Sequence, residues 1–435
     1  MKAVHERIEA VLSALGVQRA HFAAGLASEL VPLMTSRPQI VDSLTLVNPN
    51  RLEVEVLGAL SDRLAIVTGV GGLPAKTVDD ALPALVDARV VRVEDYFTAA
   101  WSDFAADNPQ AVIGTLSQQA EARSLESLSI GEQTGEVDGI SYRVSGSGPA
   151  LVLLPLLLAP SQWEPLVAQL GERFQVIVLG GPHLGMVAML ESRGSEPGYQ
   201  RVIRNVVDAI SPVAGETIVE IGCGTGVLAR FIAELTRGEN PIVATDLNDY
   251  FLSEARALAA KHRFGTCLDF QSANAEALPF EDNSVDVAFS STVMEECDAD
   301  KMLAEMIRVT RPGGRVGVVV RGTDMHSVVS MPLTDALKAK VEAPYRSVAE
   351  RGCADATLYD RFSRSPLESC EFFPGLLTLR DPQGAAWAYR EPFLLSLLNA
   401  AEVTEWHERM AEATAAGTFV FSSGLHCAVG RKPLE

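Results

Sequence analysis

Histidine is scarce in this chain of 435 residues: it has seven, and none lies between Phe22 and Pro182. This gap removes the commonest general base from most of the N-terminal part of the chain. The six cysteines form no C-x-x-C pair and follow no regular spacing, so we expect no metal site and no disulfide framework. Unpaired thiols of this kind are typical of a reducing cytosol.

Basic residues and long apolar runs are also lacking. Lys and Arg number 36 against 56 Asp and Glu, and the resulting formal charge of −20 repels phosphate backbones and anionic lipid surfaces. We therefore expect neither nucleic acid nor a membrane as a partner. The longest apolar run, residues 150–159, is about half a membrane span and contains Pro155. The N-terminal segment is amphipathic and charged, unlike a signal peptide, so we expect a cytoplasmic protein.

The densest motif that is present is Thr217–Gly226 (TIVEIGCGTG), followed by a helix-forming run and later by Thr245-Asp246. This pattern predicts a strand, a tight glycine turn and a helix start. Glycines at such a turn let the backbone approach a ligand closely, where any Cβ would clash. Asp246 ends the next predicted strand, where a carboxylate can accept hydrogen bonds from ribose hydroxyls. The motif therefore predicts a nucleoside-binding α/β unit.

The spacing differs from the dinucleotide fingerprint G-x-G-x-x-G, which would require glycine where Val227 stands. The order E-x-G-x-G-x-G instead resembles motif I of class I S-adenosylmethionine (SAM) methyltransferases. The resemblance implies an α/β, Rossmann-like sheet with SAM as cofactor and S-adenosylhomocysteine (SAH) as product. The residues that it places at the cofactor are Glu220, Gly222, Cys223, Gly224, Gly226, Asp246, Leu247, Asn274, Ala275 and Ser290.

Later signals keep the family's order and extend the resemblance over residues 200–435. Strands are predicted at 268–274, 284–292, 315–320 and 417–430, and a helix at 300–310 is predicted to end at Arg311–Gly314 (RPGG). Asn274 stands where the family usually has aspartate, although its amide oxygen can still accept from the adenine amino group. We assign residues 195–435 to a SAM-dependent methyltransferase domain.

The methyl acceptor in this family lies over the carboxyl ends of the strands, so residues after the fourth and fifth strands are candidates for a general base. These are Glu295 and His326, each of which also suits a surface or capping role. Residues 323–369 are not needed by the sheet, and they either form a lid over an apolar acceptor or pack added helices onto the sheet. The aromatic residues concerned are Tyr345, Tyr359, Phe362, Trp387, Tyr389 and Phe393.

The function predicted from the C-terminal part is methyl transfer from SAM to a small, apolar or aromatic metabolite. An alternative is that SAM or SAH is bound structurally, for a non-methyl reaction such as cyclisation or for sensing. Two departures from the family pattern keep this alternative open: Asn274, and Glu296 where the family often has histidine.

The first 190 residues resemble an α/β-hydrolase whose halves are in reversed order. Residues 139–185 resemble the opening of that fold, residues 7–49 its middle around the nucleophile elbow, and residues 63–69 and 88–93 its closing strands. The resemblance implies a circularly permuted α/β-hydrolase-like domain at residues 1–190.

This domain lacks the residues of a catalytic triad. The elbow requires serine in G-x-S-x-G, but the matching stretch Ala23–Ala27 has Gly25 at the nucleophile position. Pro155-Leu156 replace the oxyanion-forming His-Gly, and Gly69–Gly72 stand near the acid position. We therefore expect a pseudo-hydrolase that serves in scaffolding, substrate binding or dimerisation. A polar linker at residues 123–136 would permit a domain-swapped homodimer.

Overall fold

The computed structural model describes residues 3–98, 103–123, 125–344, 349, 351–395 and 397–434. The chain divides into two compact units, Met1–Ala188 (the N-terminal unit) and Met189–Glu435 (the C-terminal unit). No helix among the described residues is both long enough and apolar enough to cross a bilayer.

The N-terminal unit is built from strands and short helices that alternate along the chain. Its strands are β1 (Ala20–Ala24), β2 (Val41–Val47), β3 (Leu64–Gly72), β4 (Arg89–Thr98), β5 (Ser127–Leu128), β6 (Gln133–Val137), β7 (Ile140–Gly146), β8 (Gly148–Leu153) and β9 (Gln175–Gly180). Its helices are α1 (Val4–Ala14), α2 (Val31–Ser36), α3 (Val54–Leu57), α4 (Leu73–Ala81), α5 (Phe104–Asp107), α6 (Pro109–Glu121) and α7 (Glu164–Gly171), and α8 (Gly185–Ser195) contains the boundary between the units.

The sheet of the N-terminal unit has the order β4-β3-β2-β1-β8-β9-β7-β6, and β5 pairs with β8. The first strand of the chain, β1, therefore lies inside the sheet and pairs in parallel with both β2 and β8. One side of the sheet comes from residues 20–98 and the other from residues 133–180. Segment 123–136, predicted to be a polar linker, contains β5 and the start of β6 and so takes part in the sheet.

The central strands of this sheet are covered on both faces. Every residue of β1 and β2 is buried, as expected for parallel strands between two helical layers. Leu44 packs into the core cluster on one face and Trp163 into the cluster on the other. His21 of β1 is only 3% exposed, and its Nδ1 lies 2.7 Å from Ser43 Oγ, so this histidine sits in the core.

The C-terminal unit has a second α/β sheet. Its strands are β10 (Ile218–Ile221), β11 (Ile242–Asp246), β12 (Leu268–Ser272), β13 (Val285–Ser291), β14 (Thr310–Arg321), β15 (Val328–Val329), β16 (Glu368–Leu379) and β17 (Phe421–Arg431). Its helices are α9 (Pro197–Ile210), α10 (Val227–Leu235), α11 (Asp249–Ala259), α12 (Ala299–Val309), α13 (Asp335–Val341), α14 (Thr357–Arg364), α15 (Ala385–Leu395) and α16 (Ala400–Ala415).

This sheet has the order β12-β11-β10-β13-β14-β17-β15, and β16 pairs with β17. Strands β10 to β14 are parallel, whereas β17 runs antiparallel to β14. The chain leaves β10 toward β11 and β12, then returns to the other side of β10 to form β13 and β14. This reversal between β10 and β13 is a topological switch point, and open α/β sheets bind ligands at the carboxyl ends of the strands there.

The element predictions for this unit hold, with two corrections. The predicted strands at 268–274, 284–292 and 417–430 correspond to β12, β13 and β17, and the helix predicted at 300–310 is α12. First, residues 323–369 were predicted to be unnecessary for the sheet, but β15 and the start of β16 lie in this segment and pair with β17. Second, the segment Arg311–Gly314 was predicted as the end of helix α12 before a strand at 315. The strand begins earlier, at Thr310, because Val285 and Thr310 already pair across a register shift in the ladder.

Two of the aromatic residues in and near segment 323–369, Phe362 and Trp387, are buried. Phe362 belongs to the core beside β13 and β14, and Trp387 stacks on Trp406 with their ring centroids 5.9 Å apart. Tyr359 is half-buried, and Tyr389 is 41% exposed. Tyr345 and the side chain of Phe393 lie outside the described residues.

Candidate functional site at the carboxyl edge of the C-terminal sheet

The glycine turn between β10 and α10 lies at the switch point. Gly222, Gly224 and Gly226 have φ values of +75°, +53° and +69°, which residues with a Cβ rarely adopt. The N–H groups of Gly222 and Cys223 donate to the Thr245 carbonyl at 2.7 and 2.8 Å. The turn is therefore fixed to the end of β11, and its conformation requires glycine.

The turn is also too crowded for side chains at two of these positions. A Cβ at Gly222 would lie 2.1 Å from Cγ2 of Val293, which follows β13. A Cβ at Gly226 would lie 2.7 Å from the ring of Phe270 on β12. Both distances are below any normal carbon–carbon contact, so the alternating glycines in the sequence reflect close packing as well as backbone conformation.

Asp246 ends β11 and faces this turn. Its Oδ2 accepts a hydrogen bond from Gly224 N–H at 2.8 Å, and its Oδ1 accepts one from Asn248 N–H at 2.9 Å. Burial raises the pKa of Asp246, against the lowering effect of these backbone N–H groups. Each carboxylate oxygen keeps a lone pair for another donor, such as a ligand hydroxyl.

Glu220 lies one residue before the end of β10. It is 2% exposed, and its Oε2 has no hydrogen-bond partner among the described residues. Burial raises its pKa to about 8, with a further upward contribution from Asp246 and a lowering one from Arg230. A buried carboxyl with an unsatisfied oxygen is suited to receive a positively charged donor.

Three residues that were not predicted from the sequence stabilise the glycine turn. Arg230 on α10 donates to Thr225 O at 2.8 Å and to Glu191 Oε2 at 2.6 Å. The Thr225 hydroxyl donates to Glu191 Oε1 at 2.6 Å. The Arg230 and Glu191 side chains are 10% and 15% exposed, so this ion pair is largely buried. In the sequence, this ion pair was indicated only by the presence of an arginine within the apolar run of α10.

The remaining residues predicted at the cofactor lie in different environments. Cys223 is buried, and Leu247 is 72% exposed at the end of β11. Asn274 Oδ1 accepts a hydrogen bond from Glu276 N–H at 2.9 Å, so this side chain stabilises the loop that contains Ala275. Ser290 is buried and donates to Ile221 O at 2.8 Å, which ties β13 to β10 beneath the turn.

The two predicted base candidates lie further along the same edge. Glu295 is fully buried, and its Oε1 accepts from Arg321 N–H at 2.6 Å. Burial raises the pKa of Glu295, and the neighbouring Arg321 lowers it. His326 is exposed in the segment after β14. Glu295 thus connects the ends of β13 and β14, while its buried Oε2 has no hydrogen-bond partner among the described residues.

Comparison with known proteins shows what the segment that contains the site is similar to. The profile of a family described as "Methyltransferase domain" matches residues 219–318, the segment that holds the glycine turn, Asp246 and β13. The chain contains a methyltransferase domain. Its sequence is 34% identical over 158 residues to a ubiquinone/menaquinone biosynthesis C-methyltransferase, UbiE, of Hahella chejuensis, covering 34% of this chain and 64% of that protein. The UbiE of Serratia proteamaculans is 29% identical over 184 residues, covering 42% and 70% of the two chains.

The match covers less than two thirds of the length of the Hahella chejuensis relative. Among solved structures, the YcgJ protein of Bacillus subtilis aligns with 54% of this chain and 98% of its own, at 17% identity and a TM-score of 0.37. The [4+2]-cyclase SpnF aligns with 55% and 82% of the two chains, at 18% identity and a TM-score of 0.34.

The methyltransferase domain takes SAM as its cofactor, and the residues present fit that molecule. The unsatisfied oxygen of Glu220 suits the cationic amino group, and the glycine turn leaves room for the backbone to approach the sugar and thioether. Asp246 retains acceptor capacity for the ribose hydroxyls. In the part of the chain that the structure describes, no three His, Cys, Asp or Glu side chains are grouped so as to hold a metal ion.

Proton release should accompany SAM binding at Glu220. Because the pKa of this carboxyl is about 8, it is mostly protonated at pH 7, and pairing with an ammonium group favours its ionised form. We expect roughly one proton to be released per SAM near pH 7, and less as the pH rises above the folded-state pKa. Calorimetric titrations in two buffers with different ionisation enthalpies measure this number. Release that is unchanged in Glu220→Gln would contradict the assignment.

Proposed function

We propose that this protein transfers a methyl group from SAM to a small-molecule acceptor. The observation that carries the proposal is the arrangement of Glu220, the glycine turn and Asp246 at the switch point of the C-terminal sheet. When bound there, SAM supplies an electrophilic methyl group on a sulfonium. The protein's own contribution is to hold the donor, align the acceptor with it and exclude water.

The acceptor class that we propose is an apolar or aromatic metabolite. Two observations support it: the matched relatives are named as C-methyltransferases of ubiquinone and menaquinone biosynthesis, and apolar side chains lie exposed on β16 near the carboxyl edge. Phe372 and Leu376 of that strand are 40% and 46% exposed. An acidic protein surface further disfavours a phosphorylated acceptor.

For the N-terminal unit, we propose a circularly permuted α/β-hydrolase-like fold without catalytic activity. The sheet order supports this, because β1 lies beside β8 and the two halves of the chain each supply one side of the sheet. We further propose that the unit serves in scaffolding, substrate binding or homodimerisation, and that the protein acts in the cytosol. Light scattering of the purified protein tests the dimer.

The nucleophile position in this unit should not accept a serine. A Cβ at Gly25 would lie 2.7 Å from the backbone carbon of Leu156, so the turn after β1 is closed by main chain. We expect Gly25→Ser to lower the free energy of unfolding by about 1–3 kcal/mol and to produce no esterase activity. Gly114→Ser in α6 is the control, since nothing lies within 4 Å of a Cβ there. A stable Gly25→Ser protein that hydrolyses esters would contradict the proposal.

The proposed reaction is tested by methyl transfer from SAM labelled at its methyl group. Purified protein is incubated with labelled SAM and a panel of phenols, quinols and extracted small metabolites, and the organic phase is counted. We expect label to enter an acceptor, with SAH formed in equal amount. Binding of SAM without label transfer to any of these acceptors, together with a reaction that SAH supports equally well, would favour the structural use of the cofactor.

A further inference from the structure

A hydrogen-bonded chain of three polar side chains lies beside the carboxyl end of β14. His426 of β17 lies with Nε2 2.7 Å from Asp324 Oδ1 and Nδ1 2.8 Å from the Tyr359 hydroxyl. Asp324 follows β14, and Tyr359 belongs to α14. The three residues are distant in sequence, and the fold brings them into one line.

The partners of His426 fix its tautomer. A carboxylate can only accept, so the imidazole Nε2 carries the hydrogen and donates to Asp324. Nδ1 is then an acceptor, and the Tyr359 hydroxyl donates to it. Although burial opposes ionisation, the hydrogen bond with His426 leaves the pKa of Asp324 below its ordinary value. Burial raises the pKa of Tyr359 to about 12, helped by the nearby Cys427 and Asp324, so the tyrosine carries its proton at neutral pH.

The Tyr359 end of this hydrogen-bonded chain borders an apolar surface. The Phe372 ring lies 5.1 Å from the Tyr359 ring and is 40% exposed. Pro374 pairs with His426 across the β16–β17 ladder, and Leu376, 46% exposed, follows on the same face. We call Phe372, Pro374 and Leu376 the apolar strip. Polar groups at the border of an apolar surface are typical of sites for small organic ligands.

Hydrogen bonds along this edge of the sheet join the segment after β14 to the segment after β13. Thr323 N–H donates to Ala354 O at 2.7 Å, and Cys353 N–H donates to Met294 O at 2.9 Å. Met294 follows Val293, the residue that a Cβ at Gly222 would strike. The three-residue chain and the glycine turn therefore belong to the same carboxyl edge, where an acceptor must lie.

We propose that Tyr359, His426 and Asp324 form a proton relay that ionises a phenolic methyl acceptor bound on the apolar strip. This inference rests on the proposed methyl transfer. The acceptor's hydroxyl proton passes to the Tyr359 oxygen while the tyrosine's own proton passes to Nδ1 of His426. An electron pair of the phenolate oxygen forms the new bond to the methyl carbon, and the sulfonium S–C bond breaks with its electron pair remaining on sulfur. The proton then rests on His426, opposite the Asp324 carboxylate, until water removes it.

The relay is tested with 4-nitrophenol, whose phenolate absorbs visible light. The probe is added to SAH-saturated protein at about one pH unit below the pKa of the free phenol, where the free probe is only about one tenth ionised. The ionised fraction of the bound probe is read from absorbance. We expect the bound probe to be mostly phenolate in the wild type. In Tyr359→Phe, which keeps the ring against Phe372, and in His426→Gln, we expect the ionised fraction to fall about tenfold.

The controls separate this inference from the proposed function. SAH affinity, measured on the same samples, should be unchanged in Tyr359→Phe, and His407→Gln on the exposed face of α16 should behave as wild type. An ionised fraction that is equal in all variants, or absence of probe binding to SAH-loaded protein, would overturn the relay while leaving SAM binding intact. Absence of SAH binding in the wild type would instead overturn the proposed function.

Discussion

Replacing Arg230 with methionine is expected to lower the free energy of unfolding of the C-terminal unit by about 3–5 kcal/mol. Methionine keeps most of the side-chain volume but removes the charge that faces Glu191. The Glu191 carboxylate would then be largely buried without its cation, and Thr225 O would lose its donor. Denaturant titration followed by circular dichroism measures the change.

The cause of this destabilisation can be isolated with two further variants. Arg263→Met removes an arginine that is 67% exposed and should change stability by less than about 1 kcal/mol. The double variant Arg230→Met/Glu191→Gln should recover part of the loss, because no uncompensated charge remains. If the double variant were as unstable as the sum of the two single variants, the buried pair would not be the cause.

Asp246→Ala is expected to weaken SAM binding about 5- to 150-fold, the range for one or two hydrogen bonds to a charged group. The substitution removes the acceptor for the ribose hydroxyls and also leaves the N–H groups of Gly224 and Asn248 without their partner. Because the glycine turn depends on the first of these bonds, its conformation should loosen as well. Calorimetric titration with SAM measures the loss.

The matched control for Asp246 is Asp249→Ala, which removes an exposed carboxylate three residues along the chain, at the start of α11. Its SAM affinity should equal that of the wild type, apart from a small effect of net charge. Equal affinity in a folded Asp246→Ala protein would remove this residue from the site.

The parts of the fold that the sequence predicts are those that depend on local pattern. Apolar runs identified β10, β11 and β13, and the alternating glycines identified the turn, because both signals lie within a dozen consecutive residues. The position of Asp246 beside the turn could be predicted, since the end of a second parallel strand lies beside the end of the first. The reversed order of the two N-terminal halves was predicted in the same way, from apolar runs and turns in each segment.

The contacts that the sequence could not predict join residues far apart along the chain. Arg230 and Glu191 are 39 positions apart, and His426 and Asp324 are 102 apart. Their residue types alone do not distinguish a buried pair from two solvated charges. Ser290 was predicted to lie at the cofactor, and the structure places it in β13 with its hydroxyl donating to the Ile221 carbonyl.

The measurement that tests the account most directly is calorimetric titration of the purified, cofactor-free protein with SAM and, separately, with SAH. The arrangement of Glu220, the glycine turn and Asp246 predicts saturable binding of both ligands at one site per chain, with weaker binding in Asp246→Ala. Folded protein that binds neither ligand would contradict the assignment of this site and, with it, the proposed methyl transfer.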